Sequence, residues 1–559
     1  MKRSKTTTQK LCFSKTIVFA LLFLLLLFLA YPLGRLLVIP YLNDDFMELL
    51  NRILNSGSLL KSLRMTFYFS TLVTLFSVII GLFWAWVMTR TDLSLYRSIK
   101  TLISLPYAIP PFIGAISWIY LANPSNGLIN QVAGHSLLNI YSLTGLVFVE
   151  TSFLYTFVFL STSAALEHMD ASFEEAARTA GANNIQTFFK ITLPLIFPSV
   201  LNSALLVFIA AIASFGVPAL IGGPAGFKVI TTEIFQLQKM GTMNGLKTSI
   251  LLSSFLLLFS IVFIVLSQTL TSDKKLSLVS GKSSRKSLVE LKALRPWVLT
   301  LLFSFLGVVL ILPFSGVFLS ATSLVQGRVD FQNFTLTHFQ RILFETEELV
   351  RALKNSLIIA FTVGILSSLI ALFLGYLQTQ TNLKGKSWVD LFVAIPYSAP
   401  GTVIALSLIL AFSQNFFGLP FSIYNSLWMF VIAFTLKYLN FSFKIVTENY
   451  KQIHPYLIEA AETSGASFVQ VFRFIWLPLL RPALIASFFL VFVPSLSELT
   501  MSLFLTGPGM ETLGTLIFQL QEYSDNIGGG ASVLSTLIFI FVIAMNFAVK
   551  KLSKGKYGL

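Results

Sequence analysis

Apolar residues in this chain gather into long runs divided by short polar stretches, without the two-residue alternation of half-buried strands. A helix needs roughly 20 apolar residues to cross about 30 Å of hydrocarbon. Runs of that order lie near 17–38, 64–89, 101–121, 140–164, 196–219 and 247–270, and again near 297–321, 354–379, 389–413, 424–446, 480–505 and 531–549. The pattern predicts an all-α integral membrane protein with twelve transmembrane helices, six in each half.

Composition supports this. At 55% hydrophobic and 11% charged residues, the chain lies outside the range of soluble globular domains. A net charge of +15 would suggest nucleic acid as the partner of a soluble protein, but its placement here has another cause. Lys2, Arg3, Lys5, Lys10 and Lys15 precede the first span, and Arg90, Arg97 and Lys100 separate the second from the third. Lys274, Lys275, Lys282, Arg285, Lys286, Lys292 and Arg295 crowd the junction between halves, and Lys550, Lys551, Lys554 and Lys556 close the chain. With twelve spans all of these fall on one face. The positive-inside bias makes that face cytoplasmic, with both termini inside a bacterial cell membrane. The opposite loops, with Asp44, Asp45, Glu48, Glu345, Glu347, Glu348, Glu511, Glu522 and Asp525, are acidic or neutral on balance despite Lys228, Lys239 and Arg341. The lipid bilayer, and no nucleic acid, is the expected surrounding.

A cleaved signal peptide is a competing reading of the basic start and the run 17–30. That run continues to about Val38 without a clear small-residue cleavage site. Cys12 is the only cysteine, which excludes a disulfide framework or a Cys-based metal cluster.

A polar motif occurs twice, as EAARTAGANNIQTFFKITLP from Glu175 and EAAETSGASFVQVFRFIWLP from Glu459. Both copies keep Glu-Ala-Ala (Glu175, Ala176, Ala177; Glu459, Ala460, Ala461), a glycine six residues after the Glu (Gly181, Gly465), and a later Ile-x-Leu-Pro. The offset of 284 residues (459 − 175) also separates Pro198 from Pro482. Leu105-Pro106-Tyr107-Ala108-Ile109-Pro110 recurs as Ile395-Pro396-Tyr397-Ser398-Ala399-Pro400, the Ile-Phe-Gln-Leu-Gln of 234–238 recurs at 517–521, and Gly223-Pro224 matches Gly507-Pro508. A tandem duplication accounts for all of these. It divides the chain into domains 1–270 and 297–559, joined by a basic linker 271–296, with the motif loops at 172–194 and 456–478.

Each motif falls between its half's fourth and fifth spans. Glu-Ala-Ala favours a short helix, the glycine permits backbone angles that other residues avoid, and Leu-Pro ends the second helix just before span five. The expected product is a helix-turn-helix knob on the cytoplasmic face. Paired prolines in span three free backbone carbonyls and bend it, either as a packing kink or as a gating hinge.

The duplicated loop resembles the coupling loop of permease subunits of bacterial ATP-binding-cassette importers, and the whole chain resembles a fused pair of such subunits with the type I importer fold. The resemblance implies that each knob docks into a groove on a separate ATPase subunit, with Glu175 and Glu459 as docking carboxylates and Gly181 and Gly465 as turn residues. It also implies an extracytoplasmic substrate-binding protein that docks on the opposite face, where the Phe-Gln-Leu-Gln segments lie. The chain carries no engine of its own. A phosphate-binding loop needs Gly, four residues, then Gly-Lys-Ser/Thr. The nearest fragment, Gly281-Lys282-Ser283, has Leu276 where the first glycine belongs. No catalytic residues, cofactor or metal site are expected, and the four histidines are scattered at 135, 168, 338 and 454.

Charged residues inside spans are expensive and therefore candidates for function. Glu150 lies in span four, Lys437 in the equivalent span of the second half, and Glu498 in span five. They either line a water-filled route or, for Lys437 and Glu498, pair to lock helices together. Fused permeases of this layout look most like the ferric-iron importers, a group similar to thiamine, aminoethylphosphonate and polyamine permeases. Phe215-Gly216-Val217-Pro218 and Ser497-Glu498-Leu499 are similar to the iron group, whereas Thr500 stands where that group has proline. The runner-up class is a gradient-driven secondary transporter of two six-span repeats, which would have no use for two identical docking loops.

Overall fold

A computed structural model describes residues 27–28, 30–42, 45–95, 97–272, 288–328, 330–381, 387–413, 423–523 and 529–552. Most of the predicted first span, Cys12, Asp44, Asp525, Gly281-Lys282-Ser283 and the charged residues at 2–15, 274–286, 554 and 556 lie outside the described residues.

The described residues fold as helices. In chain order the first half contributes α1 (Phe46–Asn55), α2 (Gly57–Arg90), α3 (Ser98–Ala108), α4 (Pro111–Ala122), α5 (Leu143–His168), α6 (Ser172–Thr179), α7 (Asn184–Ile212), α8 (Ile230–Lys239) and α9 (Met243–Ser272). The second half contributes α10 (Lys292–Ala321), α11 (Glu347–Gln380), α12 (Trp388–Ser398), α13 (Gly401–Phe412), α14 (Leu427–Gln452), α15 (Pro455–Thr463), α16 (Phe468–Leu496), α17 (Thr500–Leu505), α18 (Leu513–Tyr523) and α19 (Gly530–Leu552).

The duplication is visible in the lengths. α2 and α11 both have 34 residues, α5 and α14 both have 26, and α7 and α16 both have 29. Nine described helices are long and apolar enough to cross a membrane, and two more spans are broken in the middle. With the helical residues 30–42 completing the first, the twelve-span expectation stands.

The third span of each half is broken outright. α3 meets α4 at 94° and α12 meets α13 at 104°. Ile109, ahead of Pro110, is extended at φ −94°, ψ 129°, because the proline ring disfavours helical angles in the residue before it. Pro400 is likewise extended at φ −54°, ψ 145°, and starts the next segment.

α2 packs along α5 and α11 along α14. The first of these contacts is close because of Gly81, where a Cβ would stand 2.8 Å from the Tyr155 carbonyl oxygen. The first span of each half then crosses to the other half. Phe28 stacks on Phe412 of α13 at 6.3 Å between ring centroids. In α10, the Pro313 carbonyl accepts from Ser117 Oγ of α4 at 2.7 Å, and beyond its end Ser323 meets Tyr120 at 3.0 Å. The largest core cluster accordingly mixes Phe112, Phe153 and Phe215 with Phe492, Ile517 and Phe539.

Gly316 lies at the crossing, where a Cβ would come within 2.4 Å of Ser117 Oγ and 2.9 Å of Leu121. Gly316→Leu is expected to lower stability by about 1–3 kcal/mol through overpacking. Thermal unfolding of the purified protein in detergent checks this; an unchanged Tm would contradict the close crossing.

Candidate functional site

Two sites emerge, a pair of knobs on one face and a cavity in the middle. The knobs are alike in backbone detail. α6 ends with Gly181 N–H donating to Arg178 O and Ala182 N–H to Ala177 O, both at 3.0 Å. α15 ends with Gly465 to Glu462 and Ala466 to Ala461, also at 3.0 Å. This pair of bonds needs a left-handed residue at its centre, and Gly181 and Gly465 supply it at φ +89° and +82°. Two residues later Asn183 or Ser467 caps the next helix, with Gln186 or Gln470 returning the bond to the cap's own N–H. After one α turn each following helix passes through a five-residue π segment, Phe188–Thr192 and Phe472–Trp476, leading into span five.

Glu175, Ala176, Glu459 and Ala460 are exposed on the knobs, while Ala177 and Ala461 are half-buried. Large apolar side chains stand exposed beside them: Phe173, Ile185 and Phe189 on the first knob, and Tyr456, Val469 and Phe474 on the second. Exposed carboxylates among uncovered apolar side chains make a surface suited to a protein partner.

The three charged residues predicted in the spans lie near one another but do different things. Glu150 and Glu498 line a cavity of about 300 Å³ between the halves. Tyr107, Pro110, Ser214, Phe215 and Gly216 line it from the first half, and Tyr438, Pro494, Ser497 and Thr500 from the second. Ser214 Oγ donates to Glu150 Oε2 at 3.0 Å. The 284-residue offset maps Ser214 onto Glu498, so each half brings one carboxylate to the cavity from a different span. Glu498 folds over the first turn of α17, where Oε1 accepts from Met501 N–H and Oε2 from Ser502 N–H, both at 2.9 Å.

Lys437 lies behind the cavity wall. Its Nζ donates to the carbonyls of Tyr397 at 2.9 Å and Ala399 at 2.6 Å, the groups freed by the break between α12 and α13. No ion pair joins Lys437 to Glu498 among the described residues; each is satisfied by backbone. The repeat counterpart of Lys437 is Phe153, whose ring occupies the space at Gly114. In the first half Tyr155 donates its hydroxyl to Ile103 O at 2.6 Å, ahead of the break, where α3 tightens into the 3-10 turn Leu105–Ala108.

A second, mostly apolar cavity of about 450 Å³ adjoins the first on the knob side, past a collar of Tyr107, Ala108, Tyr438 and Pro494 that lines both. The collar tyrosines, Ser214 and the paired Arg90 and Glu174 beside the first knob were not among the expected site residues. Ser214 was findable as the repeat partner of Glu498. Among the described residues no three His, Cys, Asp or Glu side chains converge as a metal-binding group.

The family model for the inner membrane component of binding-protein-dependent transport systems matches residues 77–274 and again 349–555. The chain belongs to this family. It is an importer permease with two tandem copies of the family's domain. The ferric transport system permease protein FbpB of Actinobacillus pleuropneumoniae is 25% identical over 545 residues, 95% of this chain and 77% of the relative. The Fe(3+)-transport system permease protein FbpB 2 of Haemophilus influenzae is 24% identical over 482 residues, 86% of this chain and 87% of the relative. PhnV of Salmonella paratyphi A, named for 2-aminoethylphosphonate transport, is 27% identical over 238 residues, 42% of this chain and 86% of its own length.

Lys437→Met would leave the Tyr397 and Ala399 carbonyls without their donor, at a cost of about 1–3 kcal/mol. A lower Tm in detergent is expected. A permease as stable as the parent would contradict the role of Lys437 at the break.

Proposed function

We propose that this permease forms the translocation pathway of an ATP-binding-cassette importer and couples it to a separate ATPase dimer through the two knobs, 172–194 and 456–478. The knobs, the linker 271–296 and both termini face the cytoplasm in this reading, and a cargo-loaded binding protein docks on the opposite face. The permease domains are 1–270 and 297–559. The observation that carries the reading is the repeated knob: the same turn, cap and exposed carboxylate occur in both halves, at the entrance to span five. Span five ends beside the central cavity, so a push on either knob acts on the cavity wall directly. ATP closes the dimer, the knobs move together, and the cavity switches faces by rigid-body motion.

The cargo proposed is ferric iron. Ferric permeases match nearly the whole chain, and two carboxylates and several hydroxyls surround one cavity, hard oxygen groups of the kind that suits a ferric ion in transit. The likeness of one half to PhnV favours aminoethylphosphonate as the second reading; thiamine and polyamines share the architecture.

The test is ATPase activity of the permease reconstituted with its ATPase subunit. A ferric-loaded binding protein is expected to stimulate hydrolysis more than the unloaded one, and Glu175→Gln with Glu459→Gln to abolish the difference. Stimulation by binding protein carrying an aminoethylphosphonate, and none with iron, would replace the cargo. No association with an ATPase would overturn the importer mechanism.

A further inference from the structure

The two knobs are fastened to the membrane domain in different ways. The end of α2 and the residues after it read Thr89-Arg90-Thr91-Asp92-Leu93, and the same place after α11 reads Thr379-Gln380-Thr381-Asn382-Leu383. Both charges of the first half have become neutral amides in the second. Their partners changed too: the offset maps Glu174 onto Ile458 and Thr192 onto Trp476.

In the first half Arg90 Nε lies 2.8 Å from Glu174 Oε2, with both side chains buried. Glu174 Oε1 accepts from Thr192 Oγ1 at 2.6 Å. One carboxylate thus joins the end of span two, the first knob helix and the start of span five. The chain entering the second half is tied to the same point. Val289 N–H donates to Arg90 O at 2.8 Å, Asp92 N–H donates to Val289 O at 3.3 Å, and Arg295 lies 3.6 Å from Asp92. The second knob is held by apolar packing instead. Trp476 meets Tyr376 at 5.1 Å, Phe468 at 5.6 Å and Tyr450 at 6.3 Å between ring centroids.

A buried ion pair is a costly fastening. Apolar residues of similar volume often serve stability as well or better, and among the described residues Arg90 Nη2 is buried without a hydrogen-bond partner, while Arg90 Nε and Glu174 Oε2 meet as charges without hydrogen-bond geometry. The second half demonstrates the apolar solution at the same place. What the ionic version adds is a fixed direction, because among the described residues each of these two buried charges finds its ion-pair partner in the other.

We propose that Arg90, Glu174 and Thr192 form a latch that holds the first knob in fixed register on spans two and five and on the segment 288–295. Displacement of that knob is then passed as a rigid unit to both halves, and the coupling is asymmetric. Arg90 and Glu174 are positioning residues in this account, which rests on the knobs being the ATPase docking sites.

The experiment compares Arg90→Gln, Glu174→Gln, the double variant and Thr192→Val in the complete importer in proteoliposomes, reading cargo transported per ATP hydrolysed. Each single charge removal is expected to lower that ratio about fivefold or more, the low end of usual coupling energies. The double variant, which leaves no unpaired buried charge, should recover the amount of inserted protein and keep the lowered ratio, because the ionic tie is still missing. A purely structural pair would lower the amount of inserted protein and leave the ratio unchanged. Should a single variant fail to insert, the double variant and Thr192→Val carry the test, the latter with a smaller loss of the same ratio. A parental ratio in the inserted variants overturns the latch. Glu175→Gln and Glu459→Gln measured alongside separate the two claims: if they uncouple and the latch variants do not, only the latch fails, and if neither does, the knob reading fails with it.

Discussion

A backbone carbonyl inside a bilayer has no water to turn to, so every break in a membrane helix must be answered by another group of the protein. This permease breaks its third span in both halves, at 94° and 104°, and much of the surrounding architecture answers those breaks. Lys437 reaches the carbonyls of Tyr397 and Ala399 at the second break, and Tyr155 reaches that of Ile103 in the turn before the first. Glu498 performs the converse task at the start of α17, accepting the amides that a helix start leaves unpaired. The charges in the spans therefore shape the cavity, and Glu150 and Glu498 also face it. Moving the broken span or span five would disturb a charged group and the backbone it satisfies at once, which favours a few discrete arrangements over gradual drift.

The duplication supplies two similar scaffolds that differ in the groups they bring to the cavity and to the knobs. One half gives its carboxylate to the cavity from span four and the other from span five, and position 153 is Phe where position 437 is Lys. The knobs share their turn and caps but not their anchors, ionic in one half and aromatic in the other. Crossing of the first spans mixes the halves in three of the four core clusters, whereas the fourth, around Tyr450 and Trp476, belongs to the second half alone. A fused chain guarantees the partner, and the segment 288–295 lies directly against the first knob's anchor.

Features set by local chemistry were legible in the sequence. Apolar runs, paired prolines and a glycine six residues after a repeated Glu-Ala-Ala each act over a few residues, and among the described residues eleven of the twelve runs led to a whole or broken spanning helix. The breaks in span three are sharper than the bends foreseen, because Ile109 and Pro400 leave the helical region altogether. What could not be read was pairing over distance. Lys437 suggested a carboxylate partner because charges are the groups that stand out in a sequence, yet its acceptors are main-chain carbonyls, which every residue possesses. Arg90 counted only toward the charge of its face. Its burial against Glu174, 84 residues away (174 − 90), depends on how α2 and α6 pack. The exchange of first spans is equally invisible, since the apolar runs are the same whichever half they cover.

The central claim is that the two knobs move as paired handles for one cavity. The most direct measurement is the distance between spin labels on Thr179→Cys and Thr463→Cys, exposed positions at the ends of α6 and α15, with Cys12 replaced and the ATPase dimer bound. The account predicts that ATP shortens the distance and that hydrolysis restores it. A distance that stays constant through turnover, in a complex that still imports cargo, would contradict it.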